Sequence, residues 1–263
     1  MNKIQYAPDD PLAPYYAMTK VIGVFFTQET LLGEFSINSD TGAIDLKIRW
    51  KYNWLKDGSV KEDWTLTEKS KFIANVHITI CEEWNGKIFY SVSGDSDFAK
   101  KFQGKKLPFN IVIVPVSHDA HWDVTVTKVD PDIDNLTYVR WKDKTIQLDS
   151  NDVVATTRCT GEFQAICHTR SSVIHEVGHI LGYFNDEYVH PQPKNFQSRY
   201  LSLSDMQDVQ IYNANAATNI YGWDTEGLMS AGSELRARYL EIIPAELNVI
   251  IPDTYFSLVR VER

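Results

Sequence analysis

Residues 171–188 read SSVIHEVGHILGYFNDEY, and within them His175-Glu176-Val177-Gly178-His179 fits the pattern H-E-x-x-H. In a helix, side chains four residues apart leave the same face, so His175 and His179 can each turn an imidazole nitrogen towards one point. Zinc, held by nitrogen at about 2.0–2.1 Å, requires that convergence. Glu176 then stands beside the ion without ligating it and can take a proton from a bound water, whose pKa a catalytic zinc lowers to about 7. The plain alternative is a helix with two unrelated histidines. The flanks favour the first reading: Val173, Ile174, Val177, Ile180 and Leu181 supply the rest of a helix packed into a core, and Ser171 or Ser172 can cap its start. Gly178 has a helix cost of about 1 kcal/mol relative to alanine and lets another segment approach closely. Gly182 is placed to turn the chain at the helix end and bring the next residues back over the ion.

Upstream of this helix the period changes from helical to alternating. Residues 43–52, AIDLKIRWKY, place Ile44, Leu46, Ile48 and Trp50 on one side and Asp45, Lys47, Arg49 and Lys51 on the other, which predicts a half-buried strand. Earlier strands are predicted at 21–26 and 35–37. Thr65-Leu66-Thr67-Glu68 has capping-box spacing; Phe72, Val76, Ile80 and Trp84 follow at four-residue steps, and Asn85-Gly86 is the stop. This predicts an amphipathic helix of about five turns. Further strands are predicted at 87–92, 110–115, 121–129, 136–141, 144–148 and 255–260, with Ile111-Val112-Ile113-Val114 reading as a central strand buried on both faces. Helices are predicted at 171–181, 204–216 and 233–243. With no repeat and no Pro/Gly/Ser-rich linker, the pattern predicts a single α+β domain over 1–263. Its sheet lies in about 1–150 and its site in a helical part over about 151–263.

Composition excludes several function classes. The chain has 263 residues, 43% apolar and 23% charged, close to the soluble globular average. A net charge of −9 and a pI near 5.3 argue against a nucleic-acid partner, which needs a basic footprint. Cys81, Cys159 and Cys167 have neither an even count nor C-x-x-C spacing, so they indicate no disulfide framework, although Cys159 and Cys167 could pair in an oxidising compartment. No window approaches the roughly 18 apolar residues of a membrane span. The first residues, MNKIQYAPDDPLAPYYAMTK, lack the apolar region of a Sec signal peptide. The expectation is a cytoplasmic chain or one exported by a non-classical route. The sequon at Asn135 reads as chance in that setting.

The zinc-helix residues resemble the metzincin class of zinc peptidases, whose pattern is H-E-x-x-H-x-x-G-x-x followed by a third ligand. His175, Glu176, His179 and Gly182 carry the resemblance, and Asn185, a poor zinc ligand, stands three places after the glycine. The segment is also similar to bacterial IgA-peptidase-like zinc peptidases, which end the motif in a Gly-x-x-x-Asp-Glu-Tyr run. A second similar group is the metallopeptidase domains associated with contractile injection systems, which follow Asp-Glu-Tyr with a methionine segment. Against both, Asp186-Glu187-Tyr188 aligns and makes Asp186 the matching third ligand, with Glu187, Asn185 or a distant residue as alternatives. Gly227-Leu228-Met229-Ser230 matches a Met-turn, in which a methionine packs beneath the ligand histidines, and AGSELRARYL continues the likeness. The resemblance implies a zincin, metzincin-like fold: a mixed twisted sheet packed by an N-terminal helix and an active-site H-E-x-x-H helix, with a helical C-terminal part.

Tyr188, Arg236, Arg238 and Tyr239 are candidates for holding an oxyanion or a substrate carboxylate. The plainer alternatives are a packed aromatic for Tyr188 and a solvated helix face for the others. His168 and His190 are not expected as ligands, because a catalytic zinc needs three protein ligands and an open position. His118, Asp119 and His121 could form a second metal site, but a loop between strands accounts for them more simply. Residues 130–134 lack the glycine and terminal glutamate of a calcium loop. The expected function is a zinc-dependent metalloendopeptidase acting on a protein or peptide substrate, with zinc-bound water, Glu176 as general base and the substrate extended along an edge at residues 144–149. One alternative is a toxin-like effector peptidase or amidase, delivered to a host or rival cell by a secretion or contractile injection apparatus. Another is a catalytically inactive zincin-fold binding protein.

Overall fold

In the computed structural model, which describes residues 10, 12–133, 137–141, 143–160, 166–181, 224, 226–229 and 232–262, one long strand organises the sheet. The elements in chain order are α1 (Ala13–Tyr16), β1 (Lys20–Ile22), β2 (Phe25–Glu29), β3 (Glu34–Asn38), β4 (Ile44–Lys56), α2 (Leu66–Trp84), β5 (Ile88–Ser93), α3 (Asp97–Phe102) and β6 (Leu107–Pro115). There follow β7 (Trp122–Lys128), β8 (Tyr138–Arg140), β9 (Thr145–Asp149), β10 (Thr156–Thr160), β11 (Ile166–Arg170), α4 (Ser172–Ile180), a 3-10 turn (Ala237–Leu240), α5 (Ile243–Leu247) and β12 (Tyr255–Val261).

Strand β4 runs for 13 residues and serves two partners in succession: residues 44–50 pair in parallel with β6 and residues 50–56 in parallel with β7. The Val116 amide donates to the Trp50 carbonyl and the His121 amide to the Arg49 carbonyl, both at 2.9 Å. Successive carbonyls of a strand point to opposite edges, so β6 and β7 lie on opposite edges of β4. β3 takes residues 44–47 on the edge that β7 uses further along. β9 continues in parallel beyond β7 and β8 closes that side antiparallel, while β5 and β12 add antiparallel strands beyond β6. The result is a mixed sheet with a parallel centre.

One face of this sheet is covered. Ile44, Leu46, Ile48 and Trp50 are fully buried in the same cluster as Phe72, Val76, Ile80 and Trp84 of α2 and Val173 and Val177 of α4. Burying each such side chain stabilises the fold by about 1.5–3 kcal/mol, so the alternation in β4 and the four-residue steps in α2 together place both helices. The Trp84 indole N–H donates to the Ile174 carbonyl at 3.2 Å and joins α2 to α4. The opposite face is polar and half-exposed, with Lys47 on Glu34 at 3.4 Å, Lys51 on Asp123 at 3.0 Å and Asn110 on Asp45 at 2.9 Å.

Several expectations need correction. β6 is buried on one face only: Leu107, Phe109, Ile111 and Ile113 are inside, while Pro108, Asn110, Val112 and Val114 are half-exposed, because both helices lie on the same side. The strand expected at 21–26 is a hairpin, broken where Gly23 takes a φ of 59°. Residues 144–149 are not an edge, since β9 pairs with β7 on one side and with β8 on the other, which leaves β8 outermost among the described strands. The helix expected at 233–243 is instead the 3-10 turn followed by α5. The second part is not simply helical, because β10 and β11 form a separate antiparallel pair in which Cys159 stands opposite Cys167. The helix expected at 204–216 lies outside the described residues. No described helix is long and apolar enough to cross a membrane.

Candidate metal centre

The nine residues of α4 bury seven of their number: Val173, Ile174, Glu176, Val177, Gly178, His179 and Ile180. A helix this short has little stability of its own, so its position is set by what grips it. At its start no side chain caps it. Ser171 holds the N-cap position, but its hydroxyl is buried and has no hydrogen-bond partner among the described residues. Asp152 secures this end instead: its carbonyl accepts the Val173 amide at 3.2 Å and its carboxyl accepts from the Ser172 side chain. Burial and then the neighbouring Asp149 carboxylate push the Asp152 carboxyl up to about 7. At the far end, the Trp141 indole N–H donates to the His179 carbonyl at 2.7 Å.

The two histidines converge as their spacing predicts. His175 Nε2 and His179 Nε2 are 2.9 Å apart, with the rings nearly perpendicular at 82°. His175 Nδ1 lies 2.9 Å from the Leu228 carbonyl oxygen. A carbonyl can only accept, so Nδ1 carries the proton and Nε2 presents its lone pair inward. Glu176 is buried beside them, and one potential ligand atom from each of the three residues lies within 4.8 Å of the others. Among the described residues this is the one such group.

Met229 packs against the same helix, at Gly178. A Cβ placed on Gly178 would come within 1.9 Å of the Met229 sulfur, so glycine is what lets the methionine reach the helix. The segment carrying it is closed by Leu228 N to Glu234 O at 2.8 Å and Gly232 N to Gly227 O at 3.1 Å. Gly232 is as constrained, since a Cβ there would meet the Glu226 carbonyl oxygen at 2.0 Å.

The remaining candidates divide into those with protein partners and those not described. The Tyr239 hydroxyl accepts the Met229 amide at 3.3 Å and is fully buried, which makes it a support for the methionine segment. Arg236 grips Asp224 with two bonds of 2.7 Å and Glu234 with one of 2.6 Å, and Arg238 reaches the same Asp224 at 2.6 Å. The two guanidinium groups hold the Asp224 carboxyl well below its usual range. Asp186, Glu187, Asn185 and Tyr188 lie outside the described residues. His121 accepts the Arg49 amide on Nδ1 at 2.8 Å and contacts Glu29 through Nε2, an arrangement that knits strands together. Sequence reasoning missed Arg170, Asp152 and Trp141, whose partners stand far off in the chain and leave no local pattern.

Searches against protein-family models, curated proteins and solved structures each find no match for the chain.

Proposed function

We propose that this chain is a zinc-dependent endopeptidase. The observation that carries the reading is the pair of inward-facing Nε2 atoms 2.9 Å apart, one of them held in its tautomer by the Leu228 carbonyl. Neutral imidazoles with an oriented second nitrogen are the ligands zinc takes in proteins. His175 and His179 would hold the ion, with Asp186 as the third ligand. A bound zinc supplies Lewis acidity, lowering the pKa of water to about 7 and polarising a substrate carbonyl. Glu176 would take a proton from an attacking water and return it to the leaving amine. Its burial excludes competing solvent from that exchange. Among the described residues, β8 pairs with β9 alone and packs near α4, so its other edge would be where an extended peptide adds.

The test combines metal analysis with a peptidase assay on wild type, Glu176→Gln and Asp186→Ala. Stoichiometric zinc in wild type is expected. Glu176→Gln should keep the zinc and lose roughly 10²–10⁴-fold in cleavage, the usual contribution of a general base. Asp186→Ala should lose zinc. A wild-type chain without zinc, or unchanged hydrolysis in Glu176→Gln, rejects the proposal.

A further inference from the structure

The last residue of β11, Arg170, stands two places before α4 and reaches across to the methionine segment. Its Nη1 donates to the Leu228 carbonyl and, at 2.9 Å, to the Gly232 carbonyl. Nη1 has two hydrogens, one for each oxygen. The Leu228 oxygen in turn has two lone pairs, one for Arg170 and one for His175 Nδ1 at 2.9 Å.

We infer that Arg170 is a positioning residue for His175: it fixes the Leu228 carbonyl, and that carbonyl fixes the imidazole that presents Nε2 to the metal. This rests on the zinc reading above. Three features support it. Bonds from a guanidinium are roughly twice as strong as neutral ones, so this carbonyl is held more firmly than an ordinary loop carbonyl. The methionine segment keeps its own closure through Leu228 N to Glu234 O and Gly232 N to Gly227 O, so Arg170 is not what folds it. What Arg170 adds is the direction of the Leu228 oxygen, and only His175 reads that direction among the partners described for this atom. Groups that orient a ligating histidine through its second nitrogen typically change metal affinity by about 10–100-fold when removed.

The experiment measures zinc affinity by competition with a chelator for wild type, Arg170→Met, Arg170→Lys and Thr169→Val, with circular dichroism to check folding. Thr169 joins Thr157 across β10 and β11 at 2.7 Å on an exposed face and touches neither carbonyl, so it controls for loosening of the strand pair. Arg170→Met is expected to weaken zinc binding by about 10–100-fold. Arg170→Lys should fall between it and wild type, because lysine keeps the charge but not the planar fork. Thr169→Val should bind as wild type does. Nitrogen NMR of zinc-loaded wild type should show the His175 proton on Nδ1. Wild-type affinity in Arg170→Met overturns the inference, as does an equal loss in Thr169→Val or a proton on His175 Nε2. If Arg170→Met does not fold, Arg170→Lys decides, and wild-type affinity there overturns it. A wild-type chain that binds no zinc removes the peptidase proposal and this inference together. A wild type that binds zinc no better than Arg170→Met removes the inference alone.

Discussion

Helices α2 and α4 lie on the same face of the same sheet and are built on opposite principles. α2 is 19 residues long, capped by Thr65 and Glu68 in a reciprocal box, and buries a single stripe of Phe72, Val76, Ile80 and Trp84. α4 has nine residues, no side-chain cap and a central glycine, and seven of the nine are buried. The first carries the instructions for its own formation; the second is assembled by its surroundings. The Asp152 carbonyl takes the Val173 amide, Trp84 and Trp141 take carbonyls along it, and the Leu228 carbonyl holds a histidine. A helix held from several sides keeps its side chains in one geometry, which the proposed metal ligands would need.

The largest expected effect tests the dependence of the second helix on the first. Trp84 is fully buried and bonded to Ile174 O, so Trp84→Ala should cost about 3–5 kcal/mol, measured by urea denaturation. Because the lost indole also frees a carbonyl of α4, zinc affinity should fall in any fraction that stays folded. Trp84→Phe keeps most of the packing and removes the bond, so it should cost less stability while still loosening the site. Unchanged zinc affinity in Trp84→Phe would show that α4 is less dependent on α2 than its contacts imply.

The second effect concerns the carboxyl at the start of α4. Burial, with Asp149 as the lesser cause, raises Asp152 to about 7, above the ordinary value near 3.9. Between those values the folded chain binds more protons than the unfolded one, so this contribution is complete below about pH 4 and is lost as pH rises to about 7. Each tenfold difference in proton affinity between the two states is worth about 1.4 kcal/mol, so the loss is on the order of a few kcal/mol. Asparagine keeps the acceptor for the Asp149 amide and has no proton to lose. Melting temperatures of the metal-free protein at pH 5 and pH 7.5 should therefore diverge more in wild type than in Asp152→Asn. Parallel behaviour would mean that Asp152 stays ionised throughout.

How far each helix could be read from sequence follows the same division. β4 and α2 were legible because alternation and four-residue spacing are properties of their own residues, and burial rewards those patterns directly. The extent of α4 was legible too, and so was the convergence of His175 and His179, which depends only on helical pitch. Its fastening was not: Arg170 meets Leu228 at a separation of 58 residues and Trp141 meets His179 at 38, distances over which no local pattern reports. The β10 and β11 pair was missed because TTRCT and ICHTR lack a clean apolar alternation. The expected helix at 233–243 failed for a tertiary reason. Glu234 bridges to Gly227 and Arg236 is drawn onto Asp224, which holds Arg236 extended at φ −124° and ψ 143° and delays the turn to Ala237.

A third, smaller effect lies at the centre of α4. Gly178→Ala should gain up to about 1 kcal/mol in helix propensity. Against this, the added methyl meets the buried Met229 sulfur at 1.9 Å, and overpacking of that kind typically costs about 1–3 kcal/mol. A net loss is expected, with weaker zinc binding if the ion is held as proposed, because Gly178 lies between His175 and His179 on the same helix. A double-mutant cycle with Met229→Ala should show favourable coupling, since the smaller side chain makes room for the methyl group. Additive losses would mean that the two residues do not press on each other.

The smallest effects make the sharpest test of the contrast, because the same substitution class should act with opposite consequences at the two N-caps. The Thr65 hydroxyl accepts the Glu68 amide at 3.2 Å, while the Glu68 carboxylate accepts the Thr65 amide at 2.7 Å. Thr65→Ala removes a satisfied cap and should cost about 1 kcal/mol. Ser171 occupies the equivalent place in α4, but its hydroxyl is buried and makes no bond among the described residues. Ser171→Ala removes a desolvated, unpaired polar atom, so it should leave stability unchanged or raise it slightly. Denaturant midpoints of the two variants give the comparison directly. A loss at Ser171 equal to that at Thr65 would mean that α4 is capped from within after all, and that its position owes less to Asp152 than the contacts imply.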